Sequence, residues 1–373
     1  AMEHLSAYRA LLQAKQDGVS PVSFTGVSQV HKAHLLAALC ETTAPILVIT
    51  GEEAEARRLC DDINTMQEAQ TAWVFPAKEL VLTPVEGVTT AYIHSRISAL
   101  SALQQGSCRV VVASAEALMQ PTISPEELQQ HTITLCRDET ADLKQLAQML
   151  TACGYERGDS VSGPGQFSIR GDILDVFPVQ LPMPVRIEFW DDTIDLMVQF
   201  DPETQRRTEP VSEVQIPPAR EFLCGGAALA ERIRQHAGTL RGKYADLARE
   251  KLYADADRLD SGVPLVHLEK YAPLVQKTPA MLFDYGMETV CFSEYGAILD
   301  VQRNVLVQYQ EDCRLLLEEG NLCRGLEGYY QNPPEIAAKL EGRFQVYLSN
   351  FLQGGEHIAF QKLLSTDALQ NAP

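Results

Sequence analysis

Three short runs in the first third of the chain are apolar almost without interruption: Pro45–Thr50 (PILVIT), Ala72–Phe75 (AWVF) and Arg109–Ser114 (RVVVAS). A strand covered on both faces has this composition, because neither face needs a polar side chain. Between the runs, Glu52–Met66 and Ile93–Gln105 carry helical spacing. Strands alternating with helices predict a parallel sheet with helical crossovers, an α/β fold. Two later runs, Thr289–Phe292 and Phe344–Leu348, would complete that sheet, and helical stretches are expected over Ala227–Leu259 and Ala297–Glu319.

Near Pro121–Pro125 the pattern changes. After a helix expected at Glu139–Cys153, the period drops to two in Gln166–Arg170, Ile173–Phe177, Val185–Trp190 and Ile194–Phe200. Gly171, the 178–184 segment and the Asp191-Asp192 pair separate them as turns, so Asp191-Asp192 is a hairpin turn and not a metal pair. The chain therefore divides into an α/β part at 1–121, a small α+β insert at 122–213 and a second α/β part at 214–373 that completes the first. In VRIEFW, alternation sets Val185, Ile187 and Phe189 on the core face and Arg186, Glu188 and Trp190 on the other. Arg170 falls on the same solvent side. Arginines beside an exposed tryptophan have the composition of a protein-binding hot spot.

A length of 373 residues and 45% hydrophobic content allow two or three domains with buried cores. The formal charge of -19 opposes general binding to a phosphate backbone. No apolar run reaches membrane-spanning length, and the first residues carry no basic stub ahead of an apolar stretch, so a soluble, cytoplasmic protein is expected. Ala1 ahead of Met2 looks like a cloning remnant. The nine cysteines are scattered, with no metal or disulfide spacing.

One segment resembles a phosphate-binding loop. Gly26-Val27-Ser28-Gln29-Val30-His31-Lys32-Ala33 fits the frame G-x-x-x-x-G-K-[ST], but His31 replaces the second glycine and Ala33 the hydroxyl residue. The glycine lets backbone amides wrap phosphate and the hydroxyl ligates magnesium, so only Lys32 keeps its role. The matching acidic position at the end of a later strand is damaged too, with Ser293 standing where a carboxylate is wanted, next to Glu294. Two defects at the two places that matter predict an ATPase fold without ATPase activity, and no cofactor. His31 and His34 form an H-x-x-H pair without a third ligand at a familiar spacing, which makes them ordinary histidines and not a zinc site.

The segment Gly165–Pro178 (GQFSIRGDILDVFP), followed by Arg186–Asp195 (RIEFWDDTID) and Phe200–Arg206 (FDPETQR), resembles the signature shared by the excision-repair protein UvrB and the N-terminal module of the transcription-repair coupling factors, the Mfd family. The degenerate loop and the Glu203–Arg206 ending favour the coupling factors. So does the 78–108 span, which has Tyr92 as its one aromatic where UvrB carries an aromatic-rich hairpin. The resemblance implies a degenerate, helicase-like sheet (domains 1a and 1b) with domain 2 as the insert. It also implies a non-catalytic adaptor that recruits UvrA to stalled RNA polymerase, with polymerase and DNA contacted by domains beyond this chain. The family's UvrA contacts fall on Arg170, Arg186 and Trp190, the last an aromatic position where phenylalanine also occurs. The alternative is an active, UvrB-like, ATP-dependent subunit that binds damaged DNA.

Overall fold

Isoleucine, leucine and valine fill Ile46–Thr50 and Val110–Ser114, and every residue of both strands is buried. Successive side chains enter opposite layers: Leu47, Ile49, Val111 and Ala113 pack into one hydrophobic cluster, while Ile46, Val48, Val110 and Val112 pack into the other. The computed structural model describes residues 6–43, 45–83, 91–224, 226–276, 279–350 and 358–365. Its main sheet has seven parallel strands in the order Lys362–Ser365, Val22–Thr25, Phe344–Ser349, Thr289–Ser293, Ile46–Thr50, Val110–Ser114 and Ala72–Phe75. Helices Ser6–Gln16, Gln29–Thr42 and Glu53–Gln67 cover one face. Ala91–Gln104, Ala115–Met119 and the first turns of Tyr295–Glu318 cover the other. The expected α/β fold is borne out.

The middle of the chain forms a second, six-stranded sheet in the order Arg207–Pro210, Thr193–Phe200, Val185–Trp190, Ile173–Val176, Gln166–Arg170 and Glu156–Arg157. Its pairings are antiparallel except the last, which is parallel. Phe167, Leu174, Ile187, Phe189, Ile194 and Met197 point into the core shared with Leu146 and Leu150 of the helix Leu143–Ala152. That helix starts four residues later than the spacing predicts. The Asp142 carboxylate caps it by accepting from the backbone N–H of Lys144 (2.7 Å) and Gln145 (3.0 Å). Residues 139–141 instead bond to the backbone of 192–194. Asp191 turns the hairpin with a positive φ of 56°, as a turn residue should.

A second departure lies in the last third. The stretch read as helical over 227–259 is two helices, Gly226–Thr239 and Ala245–Asp260. The break contains Gly242 at φ 114°, a conformation that favours glycine. Folding back lets Leu229, Ile233, Leu252 and Ala256 share one apolar cluster.

Sheet and insert are joined by an ionic junction. Glu221 and Arg96 are 4% and 0% exposed, and Arg96 Nε donates to Glu221 Oε2 at 2.9 Å. Lys78 Nζ donates to the same oxygen at 2.9 Å, and the Thr122 hydroxyl donates to Oε1. Nη1 of Arg96 donates to the Pro76 carbonyl (3.0 Å) and to Gln120 Oε1 (3.3 Å), and Nη2 to the Pro121 carbonyl (2.9 Å). Burial alone would raise the Glu221 carboxyl, but Arg96 and Lys78 outweigh it and hold it below its ordinary value. Both stretches by which the chain passes between sheet and insert, 120–122 and 217–221, meet here. Removing one partner of such a pair strands a buried charge, which costs about 3–5 kcal/mol. Glu221→Ala should therefore lower the unfolding free energy by about that much in a denaturant titration; a loss under about 1 kcal/mol would contradict the role assigned to the junction.

Candidate partner-binding site

The outer face of the insert sheet is organised by a carboxylate. Asp175 stands directly opposite Arg186 in the strand register and is 1% exposed. Arg186 binds it with a two-pronged contact, Nε to Oδ1 at 2.7 Å and Nη2 to Oδ2 at 2.8 Å. Arg170 Nη2 reaches the same Oδ2 at 2.7 Å from the strand on the other side. Fork-shaped pairing of this kind fixes both the position and the plane of a guanidinium. Arg186 also donates to Gln205 Oε1 at 3.1 Å and lies over the Phe200 ring, 4.6 Å from its centroid. Its hydrogen bonds to Asp175, partly offset by desolvation, raise its pKa above the ordinary value.

Strand alternation places Arg170, Arg186, Glu188 and Trp190 on one side, as the sequence implies, but their exposure differs widely. Trp190 is 80% exposed and the Arg170 side chain 51%, whereas the Arg186 side chain retains only 13%. The reading of Arg186 as solvent-facing is corrected: Asp175, Gln205 and Phe200 cover it. Glu188, between Arg186 and Trp190 on this side, forms its ion pair with Arg207, while Asp175 holds Arg186. Arg170 and Arg186 are thus brought together on one carboxylate. Trp190 stands at the end of the same strand, two side-chain rows beyond Arg186. Among the described residues, only the Nη1 of Arg186 is left without an acceptor within the guanidinium.

Three residues of this face were not singled out from the sequence. Asp175 lies inside the GDILD run, and its place in the alternation of Ile173–Val176 puts it on the outer side. Gln205 takes φ 59° in a turn whose N–H groups bond the Asp201 carboxylate. Arg207 opens an edge strand exposed at every position, which carries no hydrophobic signal.

The loop resembling a phosphate site is filled from within. Lys32 is 4% exposed and donates to Ser293 Oγ at 3.0 Å and to Glu294 Oε1 at 2.6 Å. The Ser293 hydroxyl donates a hydrogen bond to Glu55 Oε1 at 2.7 Å, and the backbone N–H of Asn350 donates to Glu294 Oε1 at 2.9 Å. The ammonium that would meet phosphate is therefore spent on a carboxylate of the same chain. Gly26 keeps the positive φ of a tight loop, at 78°, while Ala33 is fully buried in the core. His31 and His34 do not share a ligand: His31 Nδ1 meets Ser28 Oγ at 3.0 Å, and His34 Nδ1 meets the Val30 carbonyl at 3.1 Å. No helix among the described residues is long and apolar enough to cross a membrane.

Residues 133–222, which include the whole outer face described above, match the family model described as the UvrB interaction domain. The relatives extend the likeness over nearly the whole chain. The transcription-repair-coupling factor of Bacillus subtilis (strain 168) is 28% identical over 376 residues, covering 97% of this chain and 32% of that protein. That of Staphylococcus aureus (strain bovine RF122 / ET3-1) is 26% identical over 307 residues, covering 80% and 26%. The chain is thus similar to transcription-repair-coupling factors over most of its length and carries a match to the UvrB interaction domain, and it spans about a third or less of the length of these relatives.

The filled loop generates a test. A nucleotide that binds the native state raises the melting temperature by mass action. Millimolar Mg-ATP should leave the melting curve in place, because phosphate would have to displace Glu294 from a buried lysine. A rise of several degrees would overturn this view of the loop.

Proposed function

We propose that this chain is a non-catalytic adaptor: its insert docks UvrA, and a full-length coupling factor uses it to bring the excision-repair machinery to stalled RNA polymerase. In this proposal residues 122–213 are the docking domain, held between the flanking parts at 1–121 and 214–373. RNA polymerase and DNA are engaged by parts of the coupling factor outside this chain. The observation that carries the proposal is the outer face of the insert, where a tryptophan 80% exposed stands beside two arginines fixed on a buried aspartate, within the matched domain. A large ring left in water and a preset arginine fork give affinity at low ordering cost. The reading as an active ATP-dependent subunit is disfavoured by the internal pairing of Lys32 with Glu294. It also draws no support from the charge of -19, which opposes tight DNA binding.

Calorimetric titration of UvrA into the wild type and two variants tests the proposal. Trp190→Ala and Arg170→Ala remove groups that are half or more exposed, so melting temperature should barely move. Affinity should fall by about 2 kcal/mol for Trp190→Ala, roughly thirtyfold, with a smaller loss for Arg170→Ala. Arg186→Ala is a poorer probe, because it strips the fork from a buried carboxylate and should destabilise the insert as well. Unchanged affinity in both Trp190→Ala and Arg170→Ala would remove the face as the docking site.

A further inference from the structure

On the proposed docking face the cations are paired with carboxylates of the same sheet. A single buried carboxylate takes hydrogen bonds from both arginines, and the neighbouring Arg207 is paired with Glu188. The positive charge offered to a partner is thereby largely neutralised before any encounter. What remains is direction: the two-pronged contact fixes the plane of Arg186 with its Nη1 unpaired, and one hydrogen bond tethers the half-exposed Arg170 to the same carboxylate, with Trp190 two rows beyond Arg186.

We propose that Asp175 is a positioning residue for docking, exchanging long-range attraction for a preset pair of guanidinium donors, and that the partner surface it fits presents carboxylate acceptors beside an apolar pocket for Trp190. The proposal rests on the docking role of this face. Its physical content is a trade between two rates. Oriented donors that need no further ordering slow dissociation, whereas a net positive patch opposite carboxylates speeds association. Asp175 gives up some of the second to gain the first. Arginine suits the task because it can hold Asp175 through Nε and Nη2 while Nη1 keeps donors of its own. Lysine at 186, with three donors on one flexible point, cannot present a separate free edge.

The neutral, nearly isosteric Asp175→Asn variant separates this role from a merely structural one. With the negative charge gone, the face gains one unit of positive charge and loses the fixed plane of Arg186. Association with UvrA at low salt should become faster, by about twofold, and its rate should fall more steeply as salt is added. Dissociation should become faster still, about tenfold or more, so that affinity falls overall. Simple loss of folded protein would lower the binding-competent fraction and could not raise the association rate. A double-mutant cycle supplies the second measurement. If Asp175 acts through Arg186, the losses from Asp175→Asn and Arg186→Lys should be strongly non-additive.

Surface-immobilised UvrA with both rate constants measured over a salt series decides it. Faster association and much faster dissociation support the proposal, as does non-additivity in the cycle. Slower association with unchanged dissociation, or additive losses, overturns it. If Trp190→Ala and Arg170→Ala weaken binding while Asp175→Asn changes neither rate, the positioning role fails and the docking face stands. If none of the three changes binding, the docking face itself fails.

Discussion

The arrangement depends on one buried contact, the clasp of Arg96 on Glu221. Every guanidinium nitrogen of Arg96 is hydrogen-bonded in a space with no solvent exposure, and its plane stacks on Phe75 at 3.9 Å. Besides the Pro76 carbonyl, its acceptors lie on the stretch that leaves the main sheet, at 120–121, and on the stretch that returns to it, at 221. A small inserted sheet joined by two strands of backbone would be free to pivot if only apolar surface met there. Directional, charge-assisted bonds at both crossings remove that freedom. Lys78 extends the contact to Glu269 at 2.8 Å, so the last third of the chain is tied to the same point.

A rigid mount matters because the two sheets are put to different uses. In the main sheet, the loop that carries phosphate-site spacing has turned inward, and its lysine neutralises Glu294. In the insert, the corresponding economy of charge is directed outward: Asp175 holds two arginines in place on a face that leaves Trp190 in water. Both sites spend a cation on a carboxylate of the same chain. At Lys32 the result is a closed site, and at Arg170 and Arg186 it is an open edge.

The sequence made the strands with strong periodicity legible, because a two-sided burial pattern or a clean period of two has one physical cause. Val22–Thr25 is not among the strands the pattern predicts, since four residues with Ser23 and Thr25 among them carry little signal. Arg207–Pro210 and Glu156–Arg157 are exposed throughout and are strands only because a neighbour pairs with them. Alternation and resemblance pick out the candidate site residues, but not their exposure. Whether Arg186 meets solvent depends on Asp175 one strand away and on Gln205 across a turn, which is a matter of register and loop path. The partner of Lys32 lies 262 residues further along the chain, beyond the reach of any local pattern.

The central claim is that this chain meets its partner through the insert face and not through the relic loop. Hydrogen–deuterium exchange of the chain alone and in complex with UvrA tests it most directly, because amide protection reports where backbone becomes covered or stiffened. Protection on binding should appear in Gln166–Arg170, Val185–Trp190 and the turn at 201–206, while Gly26–Ala33 stays as it was. Protection confined to the loop at 26–33, with the insert strands unchanged, would contradict the account.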